Sequence, residues 1–509
     1  MATLQELRDE RIQKLKQLKE LGVESYPASS NRQASISSVL SNFKPDESTV
    51  LVGRIWAQRG HGKLRFYDIR DDSGEIQLLV RADQLKELDA VNSQLGFDQL
   101  NLLDIGDFIE VSGTMTTTKT GQPSIEARTL RILSKSLRPL PDSWSGLKDK
   151  ETRLRRRYLD TNLNEDVKKR YVRRSHFWQA TRQFLIDNDF LEINIPVLEN
   201  TAGGADANPF VTHMDALEQD FYLRISHELP LKRLLVGGYE KVFDIGPRFR
   251  NENYSDEHLP EHVAMEWYWA YADWRQGMKL TQQLVRYVAD QTWGNRKFEL
   301  NGTEVDLGKD GQDWPQLSFI ELINDKYDID VFNTSVKEVK QKLKEHKLEV
   351  EKSDSIGRGV DKLWKKLRVD IAGPAFLVDI PTFMQPLAKT QSTDERLSQQ
   401  FNLILGGTEA CKAYGELNNP QLQLKRFVEQ QQLRDRGDDE AMMLDLDYIE
   451  ALEYGMPPAC GFGYSERVFW LLEGVTAREG VPFPQLRSEV SQTTAEIYKD
   501  ELNQLNKEG

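Results

Sequence analysis

Apolar positions recur at different periods along this chain, and each period marks a different kind of region. Near the start, Leu4, Leu7, Leu15 and Leu18 stand at helical spacing among charged residues, and Gly22 closes the run. Residues 3–22 are therefore expected to form an amphipathic helix that ends before Tyr26-Pro27. From about Val50 to Leu133 the period shortens to two. The runs VLVGRIWAQR, LRFYDIRD, EIQLLV, FIEVSGTM and SIEARTLRIL are separated by turn formers such as Asp71-Asp72-Ser73-Gly74 and Thr120-Gly121. This alternation predicts five strands closing into a small barrel of the OB type, with a small sandwich as the alternative.

Pro139, Pro141 and the Trp144–Gly146 segment read as a linker. Beyond about residue 165 the texture is mixed α and β. Arg173–Asn188 is expected to be helical, and Asp189–Pro196 to be a strand that ends at proline. After Trp274 a polar, helix-rich stretch runs to about 370, typified by VKEVKQKLKEHKLEVEK. It reads as a solvated helical insertion with little chemistry of its own. Strands and glycines return over 374–490.

Composition narrows the class. The chain has 509 residues, 39% hydrophobic and 29% charged, which fits a multi-domain globular protein. No run of about 18 apolar residues occurs, so no membrane span is expected, and the charged N-terminus lacks a signal-peptide core. Cys411 and Cys460 have no CxxC spacing, which argues against a disulfide framework or thiolate zinc site and points to a cytoplasmic home. The net charge of −14 would disfavour nucleic acid, yet Lys148–Arg174 carries a local net charge of +6. That stretch is either a basic patch or a solvated helix surface.

Three segments carry candidate chemistry. In the first, Phe249-Arg250-Asn251-Glu252 is followed by His258-Leu259-Pro260-Glu261-His262 and Met265-Glu266-Trp267-Tyr268. A strand, loop and second strand would present an arginine fork suited to phosphate or carboxylate oxygens, with carboxylates nearby. His258 and His262 also match HxxEH, a zinc pattern that works only on a helix, and Pro260 at its centre breaks a helix. In the second segment, GGTEACKAYGELN, Lys412, Tyr414 and Glu416 share a strand face. Taken alone, this could be one solvated face of a sheet. The third segment, Gly461–Arg467, sets small residues before an arginine at a helix start, where a ligand can approach the backbone. No GxxxxGK[ST] loop, dinucleotide GxGxxG or GxSxG elbow is present, so any ATP must bind through arginines on a sheet.

In this order and spacing the segments resemble the three motifs of class II aminoacyl-tRNA synthetases. The likeness runs from the N-terminal helix to about Arg487 and is greatest to the bacterial-type lysyl family. It also rests on Gly53-Arg54 with Gly62-Lys63, RRRYLD (Arg155–Asp160), Gly203-Gly204-Ala205 before Asn208-Pro209-Phe210, and Tyr222–Ile225. Leu231–Leu234 with Gly237-Gly238, Gly437–Ala441 and Ala451–Gly455 complete the collinear set. The resemblance implies an α+β chain: an N-terminal OB-fold β-barrel, then a class II synthetase catalytic domain with a central antiparallel sheet. Its parts would be a lead-in over 1–45, an anticodon-binding barrel over 46–140, a linker over 141–164 and a catalytic domain over 165–495, with the insertion at 275–375.

The resemblance also implies partners and roles. ATP, L-lysine and tRNA(Lys) would be the substrates, Mg²⁺ the cofactor, and a homodimer the assembly, with the first motif, ending at Pro196, at the interface. Arg250 and Arg467 would be catalytic: Arg250 on the lysine carboxylate and α-phosphate, Arg467 on the γ-phosphate. Glu252, His258 and His262 would lie near the nucleotide. Glu409, with Asn402, would bind Mg²⁺. Gly204, Glu228, Glu266, Tyr268, Lys412, Tyr414 and Glu416 would join Arg250 around lysine. Glu228, Tyr268 and Glu416 would meet the side-chain ammonium, and Glu266 with the backbone at Gly204 the α-amine. Phe66 would stack on an anticodon base, with Arg59 and Gln77 beside it.

The chain departs from the family pattern at several places. His262 replaces an adenine-stacking aromatic, Leu259 a polar residue, Asn402 a metal-binding carboxylate, and Lys412 an asparagine. The third motif is one residue short, with Glu466 before Arg467. Two other functions stay open on the sequence: an ATP-dependent amino-acid ligase with another acceptor, and a non-catalytic tRNA-binding paralogue.

Overall fold

The computed structural model describes residues 2–508 except 142–146, 253, 254, 353, 386 and 439. The linker reading of Trp144–Gly146 therefore lies outside the described residues, as does Asp439. Two compact units are present, one of residues 1–149 with 487–509 and one of 150–486. The tail from Arg487 thus groups with the first unit, whereas the sequence reading carried the second domain to 495.

In the first unit, helix α1 (Leu4–Glu20) starts at Thr3, whose side chain accepts from the Glu6 backbone while Glu6 accepts from the Thr3 backbone. Its buried side is narrow: Arg11 and Leu18 are buried, and Leu4, Leu7 and Leu15 are half-buried. Five strands follow: β1 (Ser48–His61), β2 (Leu64–Arg70), β3 (Glu75–Arg81), β4 (Phe108–Thr117) and β5 (Pro123–Ser134). They close a barrel in the order β1-β2-β3-β5-β4, with β3 and β5 parallel. Alternate residues such as Leu51, Ile55, Tyr67, Ile69, Leu78, Val111 and Ile125 fill its interior. Arg138 and Arg8 lie over the ring of Tyr498, so the tail helix Lys499–Glu508 begins beside the barrel's own segments.

Lys135 is fully buried beneath this barrel. It donates to Asp104 (2.6 Å), Asp107 (2.7 Å) and the Leu102 carbonyl (2.8 Å). Removing one partner of a buried pair leaves an uncompensated charge, at a cost of about 3–5 kcal/mol. Lys135→Met is expected to lower the first unit's stability by that order. Faster hydrogen exchange in β4 and β5 would register it, and unchanged exchange would refute it.

The second unit is built on one eight-stranded sheet. Its elements are α2 (Glu165–Asp187), β6 (Leu191–Glu192), α3 (Glu228–Val236), β7 (Lys241–Phe249), β8 (Glu261–Ala270), α4 (Trp274–Trp293), β9 (Gln316–Ser318), α5 (Phe319–Tyr327), α6 (Val336–Glu345), α7 (Ile356–Leu367), β10 (Ala375–Val378), β11 (Gln400–Leu405), β12 (Thr408–Gly415), α8 (Leu446–Glu453), β13 (Ala459–Ser465) and α9 (Arg467–Glu473). The strand order is β9-β10-β11-β12-β13-β8-β7-β6, antiparallel except for the two outermost pairs. One face carries Met265, Trp267, Phe401, Leu403, Cys411, Ala413, Phe462 and Tyr464. These residues form one core with Phe177, Phe184 and Leu185 of α2 and Met278, Leu284 and Val288 of α4. Both cysteines are free and buried.

Three sequence expectations change. The Asp189–Pro196 strand shrinks to Leu191–Glu192, which pairs in parallel with β7. The supposed solvated insertion opens with α4, a core helix capped by Asp273 and ended by Gly294 in the left-handed region. Its charged face hid an apolar stripe. The rest has a core of its own, with Phe319, Ile323, Val339, Leu343, Val360, Leu363 and Trp364 packed against Leu377 and Ile404 of the sheet. The basic stretch 148–174 is also largely spent internally. Arg157 is buried against Asp160, Arg170 and Arg173 reach Glu473, and Arg174 reaches Glu466.

Candidate active site

The register of four neighbouring strands sets the site. One transverse row runs Asp244 (β7), Glu266 (β8), Gly463 (β13), Lys412 (β12), Asn402 (β11). The adjacent row on the same face runs Val242, Tyr268, Gly461, Tyr414, Gln400. Side chains alternate across a strand, so this whole set lies opposite the packed core face. Two glycines occupy the middle of the two rows and leave a trough between Glu266 with Tyr268 on one side and Lys412 with Tyr414 on the other.

Gly461 cannot be another residue without filling that trough. An added Cβ would sit 2.1 Å from Glu416 Oε1 and 2.3 Å from Tyr268 Cε1. If the trough holds the amino acid that the sequence resemblance implies, Gly461→Ala is expected to raise its KM by about two orders of magnitude, since a 1 Å misplacement can cost that much. The KM for ATP should hold. An amino-acid KM within a few-fold of the parent would show that the trough is not where the amino acid sits.

At one end of the trough lies an acidic pocket. Glu266 is buried and accepts from Ser226 Oγ (2.8 Å), the His227 backbone N–H (3.2 Å) and Tyr268 OH (3.2 Å). Burial opposes its charge, but hydrogen bonding and attraction from His227 and the charge of Arg248 outweigh that and pull the carboxyl down to about 2. Glu416 follows β12 and is buried, and Glu228 is the first residue of α3. Gly204, with φ of +81°, lies against Glu228 and Ser226, where a Cβ would come within 2.7 Å and 3.1 Å. Both Glu228 and Glu416 also contact Lys232 of α3, which sequence reading did not single out. Its spacing four residues after Glu228 on a helix was the available signal.

A second cleft of about 100 Å³ lies at the β7–β8 turn. Arg248, Arg250, Glu252, Glu257, His258, Leu259, His262, Ser465, Arg467 and Trp470 line it. Five of the residues expected near ATP are therefore brought together. Glu252 and His258 are exposed at its rim, and His258 shares a hydrogen bond with Ser255 (2.9 Å). Burial lowers Arg248 to about 9, with Arg250 adding repulsion. Arg248 Nε donates to His262 Nε2 (2.7 Å), while His262 Nδ1 donates to the Leu259 carbonyl (3.2 Å). The ring is thereby locked in its neutral Nδ1–H form, and burial with two neighbouring arginines keeps its pKa well below the ordinary value. His258 sits in the turn and His262 on β8, so the helix needed for a HxxEH zinc site is absent. Arg250 Nε has no hydrogen-bond partner among the described residues. Arg467, at the start of α9, pairs with Glu257.

Glu409 and Asn402 meet on β11 and β12 through a bulge. Leu403 pairs with Cys411 but Ile404 with Glu409, so an extra residue in β12 turns Glu409 onto the face of Lys412. Lys412 Nζ lies 3.7 Å from Glu409, and Trp364 of α7 donates its indole N–H to the same carboxylate. Burial opposes the charge on Glu409, but Lys412 and Trp364 keep its pKa below the ordinary value. The insertion, expected to hold little chemistry, thus supplies Trp364 to the site. Asn402 Oδ1 accepts from Gln400 (2.8 Å). Among the described residues, no group of three or more His, Cys, Asp or Glu could hold a metal on its own.

In the barrel, Arg59 pairs with Phe66 across β1 and β2, and Asp68 pairs with Gln77 across β2 and β3, on one outer face. Phe66 is half-buried, whereas the neighbouring Tyr67 belongs to the core, so Phe66 is not barrel filling. Arg59 lies 5.8 Å from the Phe66 ring centroid and is held by Asp68. Gln77 is buried and accepts from Ser124 Oγ (3.3 Å), which makes it less open to a ligand than the sequence suggested.

A large sheet with arginines and a glycine trough, together with a separate barrel bearing a half-buried aromatic on its outer face, defines a class. Residues 149–487 match the family model of tRNA synthetases class II (D, K and N), and residues 49–133 match that of the OB-fold nucleic acid binding domain. The similar curated proteins are more specific. A lysine--tRNA ligase of Thermotoga maritima is 36% identical over 495 residues, covering 94% of this chain and 96% of the relative. One of Pelotomaculum thermopropionicum is 41% identical, covering 95% of each, and one of Staphylococcus epidermidis 39%, covering 94% and 97%. The chain belongs to the class II tRNA synthetases and, within them, to the lysine--tRNA ligase family.

Proposed function

We propose that this chain uses ATP to activate L-lysine as lysyl-adenylate and then transfers the lysyl group to the 3′ end of tRNA(Lys). The observation that carries this reading is the buried carboxylate end of the trough. A desolvated ammonium needs anionic partners, and Glu228, Glu416 and Tyr268 surround the place where one would lie. Glu266, held ionised, suits the α-amine, with the Gly204 backbone beside it. Arg250, Lys412 and Tyr414 complete the contacts toward the carboxylate end.

The lysine carboxylate attacks the α-phosphorus in line, and the bond to pyrophosphate breaks. The terminal ribose hydroxyl of tRNA then attacks the activated carbonyl, and AMP leaves. No side-chain nucleophile takes part. Arg250 steadies the carboxylate and α-phosphate and Arg467 the γ-phosphate, by position and charge. Glu252, His258 and His262 flank the nucleotide. Glu257 now pairs with Arg467 and must yield to phosphate. Glu409 is the residue that would hold Mg²⁺, with Asn402 a neutral second oxygen. One charged oxygen beside Lys412 fits an ion carried in on ATP, not an all-protein site. When bound, that ion neutralises phosphate charge.

Phe66 and Arg59 are the proposed anticodon contacts, with Gln77 secondary. Exposed Ile186, Leu191 and Leu198 around the first motif support a homodimer through that segment. No helix of the described residues is long and apolar enough to cross a membrane. With two free cysteines, a cytoplasmic enzyme is the proposed setting.

Amino-acid-dependent ATP–pyrophosphate exchange, run with Mg²⁺ and each of the twenty amino acids separately, tests the proposal. Exchange with lysine alone is expected. Exchange with another amino acid would mean the pocket around Glu228 and Glu416 is misread. No exchange, with tRNA still bound, would replace the enzyme by a binding protein.

A further inference from the structure

Helix α3 places a lysine of the chain itself inside the acidic pocket. The Lys232 side chain has no solvent exposure. Its Nζ donates to Glu228, one turn earlier on the helix, and lies against Glu416 Oε2. The Tyr268 ring centroid is 5.8 Å from the same nitrogen. Two carboxylates this close and this dry cannot both stay ionised unless a cation lies between them. Burial and repulsion from neighbouring carboxylates raise Glu416 to about 8 and Glu228 upward too, even against the pull of Lys232. Against the penalty of burial, the two carboxylates hold Lys232 well above the ordinary lysine range. The other groups facing this cluster add no cation. Tyr268 of β8 and Tyr448 of α8 are phenols, and Cys460 of β13 is a thiol, all kept protonated by burial. Glu266 is already engaged by Ser226 and the His227 backbone.

With both carboxyls ionised, the cluster of Glu228, Glu416 and Lys232 carries one net negative charge. We infer that Lys232 is a specificity-determining residue of the amino-acid pocket: a built-in ammonium that bridges the two carboxylates and cancels one of their charges. What remains matches one further ammonium. The inference rests on the lysine-activating reading and deepens it. With lysine bound, two ammonium groups face two carboxylates and the pocket is neutral. With an uncharged amino acid, either one buried negative charge is left without a partner or the pair keeps a proton, and no ion pair with the substrate is gained. Lys232 also favours the ionised form of both carboxyls before substrate arrives. Without it, the pair would hold its proton more tightly and the incoming ammonium would have to displace it.

The test uses the full chain in lysine-dependent ATP–pyrophosphate exchange. Lys232→Met removes the charge and keeps the apolar stem. It is expected to raise the KM for lysine by about a hundredfold, the scale of breaking a buried pair, and to leave the KM for ATP within a few-fold. The double variant Lys232→Met with Glu228→Gln removes one charge of each sign. It restores the single net negative charge on Glu416 and keeps an amide oxygen at 228, so it should recover at least about tenfold of the loss. A lysine KM unchanged in Lys232→Met, or a double variant worse than the single one, would overturn the inference. So would parallel losses in kcat, ATP KM and melting temperature with no rescue, which mark a purely structural role. If the single variant does not fold, the double variant decides. A lysine KM within about tenfold of the parent supports the inference, and a loss beyond about a hundredfold with ATP KM intact overturns it. A parent chain that fails to exchange with lysine would instead bring down the proposed function.

Discussion

Arg250→Ala is expected to lower lysine-dependent ATP–pyrophosphate exchange by on the order of 10² to 10³-fold, the usual cost of deleting one preorganised charge donor at a reacting centre. The melting temperature should scarcely move. Among the described residues, Arg250 closes no buried ion pair and its Nε has no hydrogen-bond partner. Its removal also relieves repulsion on Arg248, which burial already holds near 9. Because the side chain is aimed at a cleft and not spent on the fold, loss of rate without loss of stability is the signature to look for. Single-turnover adenylate formation and a thermal melt on the same preparation would show it. Exchange within about tenfold of the parent would take Arg250 out of the reacting centre.

Glu416→Gln should have an effect of similar size with a different pattern. It removes the carboxylate charge that the ammonium end of the pocket has in excess of Lys232, which also contacts Glu228. The KM for lysine should rise by at least about a hundredfold, the scale of an unpaired buried ammonium, while ATP binding is kept. Lysine and ATP affinities measured by calorimetry separate the two. Equal loss of both would remove Glu416 from the ammonium pocket. Together the two variants test opposite ends of the trough, one by rate and one by affinity.

Much of this arrangement was legible before the structure. The period-two runs between Val50 and Leu133 read as the barrel because alternating burial leaves a direct trace in the residue order. Arg250, Glu266, Tyr268, Glu416 and Arg467 were legible through motif order and spacing. Arg248 was missed although it lies two residues before Arg250, near the end of the strand that closes at Phe249. Helix was expected after Trp274, but the core role of α4 was missed. Its apolar positions Met278, Leu284, Val285 and Val288 lie at helical spacing among polar residues, and the sheet they pack on comes from distant segments.

By itself, then, the sequence determined the local periods, the barrel strands and the identities of the groups that could do chemistry, because these depend on neighbours a few residues apart. Only the tertiary structure decided how those groups are spent. The bulge in β12 that turns Glu409 toward Lys412, the indole of Trp364 arriving from the insertion, and the burial of Gln77 depend on pairings between distant segments. So do the arginines of 153–174 that close ion pairs inside their own unit instead of forming an open basic patch. Lys232 is the sharpest instance. In the sequence it is one more lysine on a polar helix, and only desolvation between Glu228 and Glu416 gives its charge a role. Spacing along the chain records which residues can share a face, but charge balance and burial are set by what the fold brings against that face.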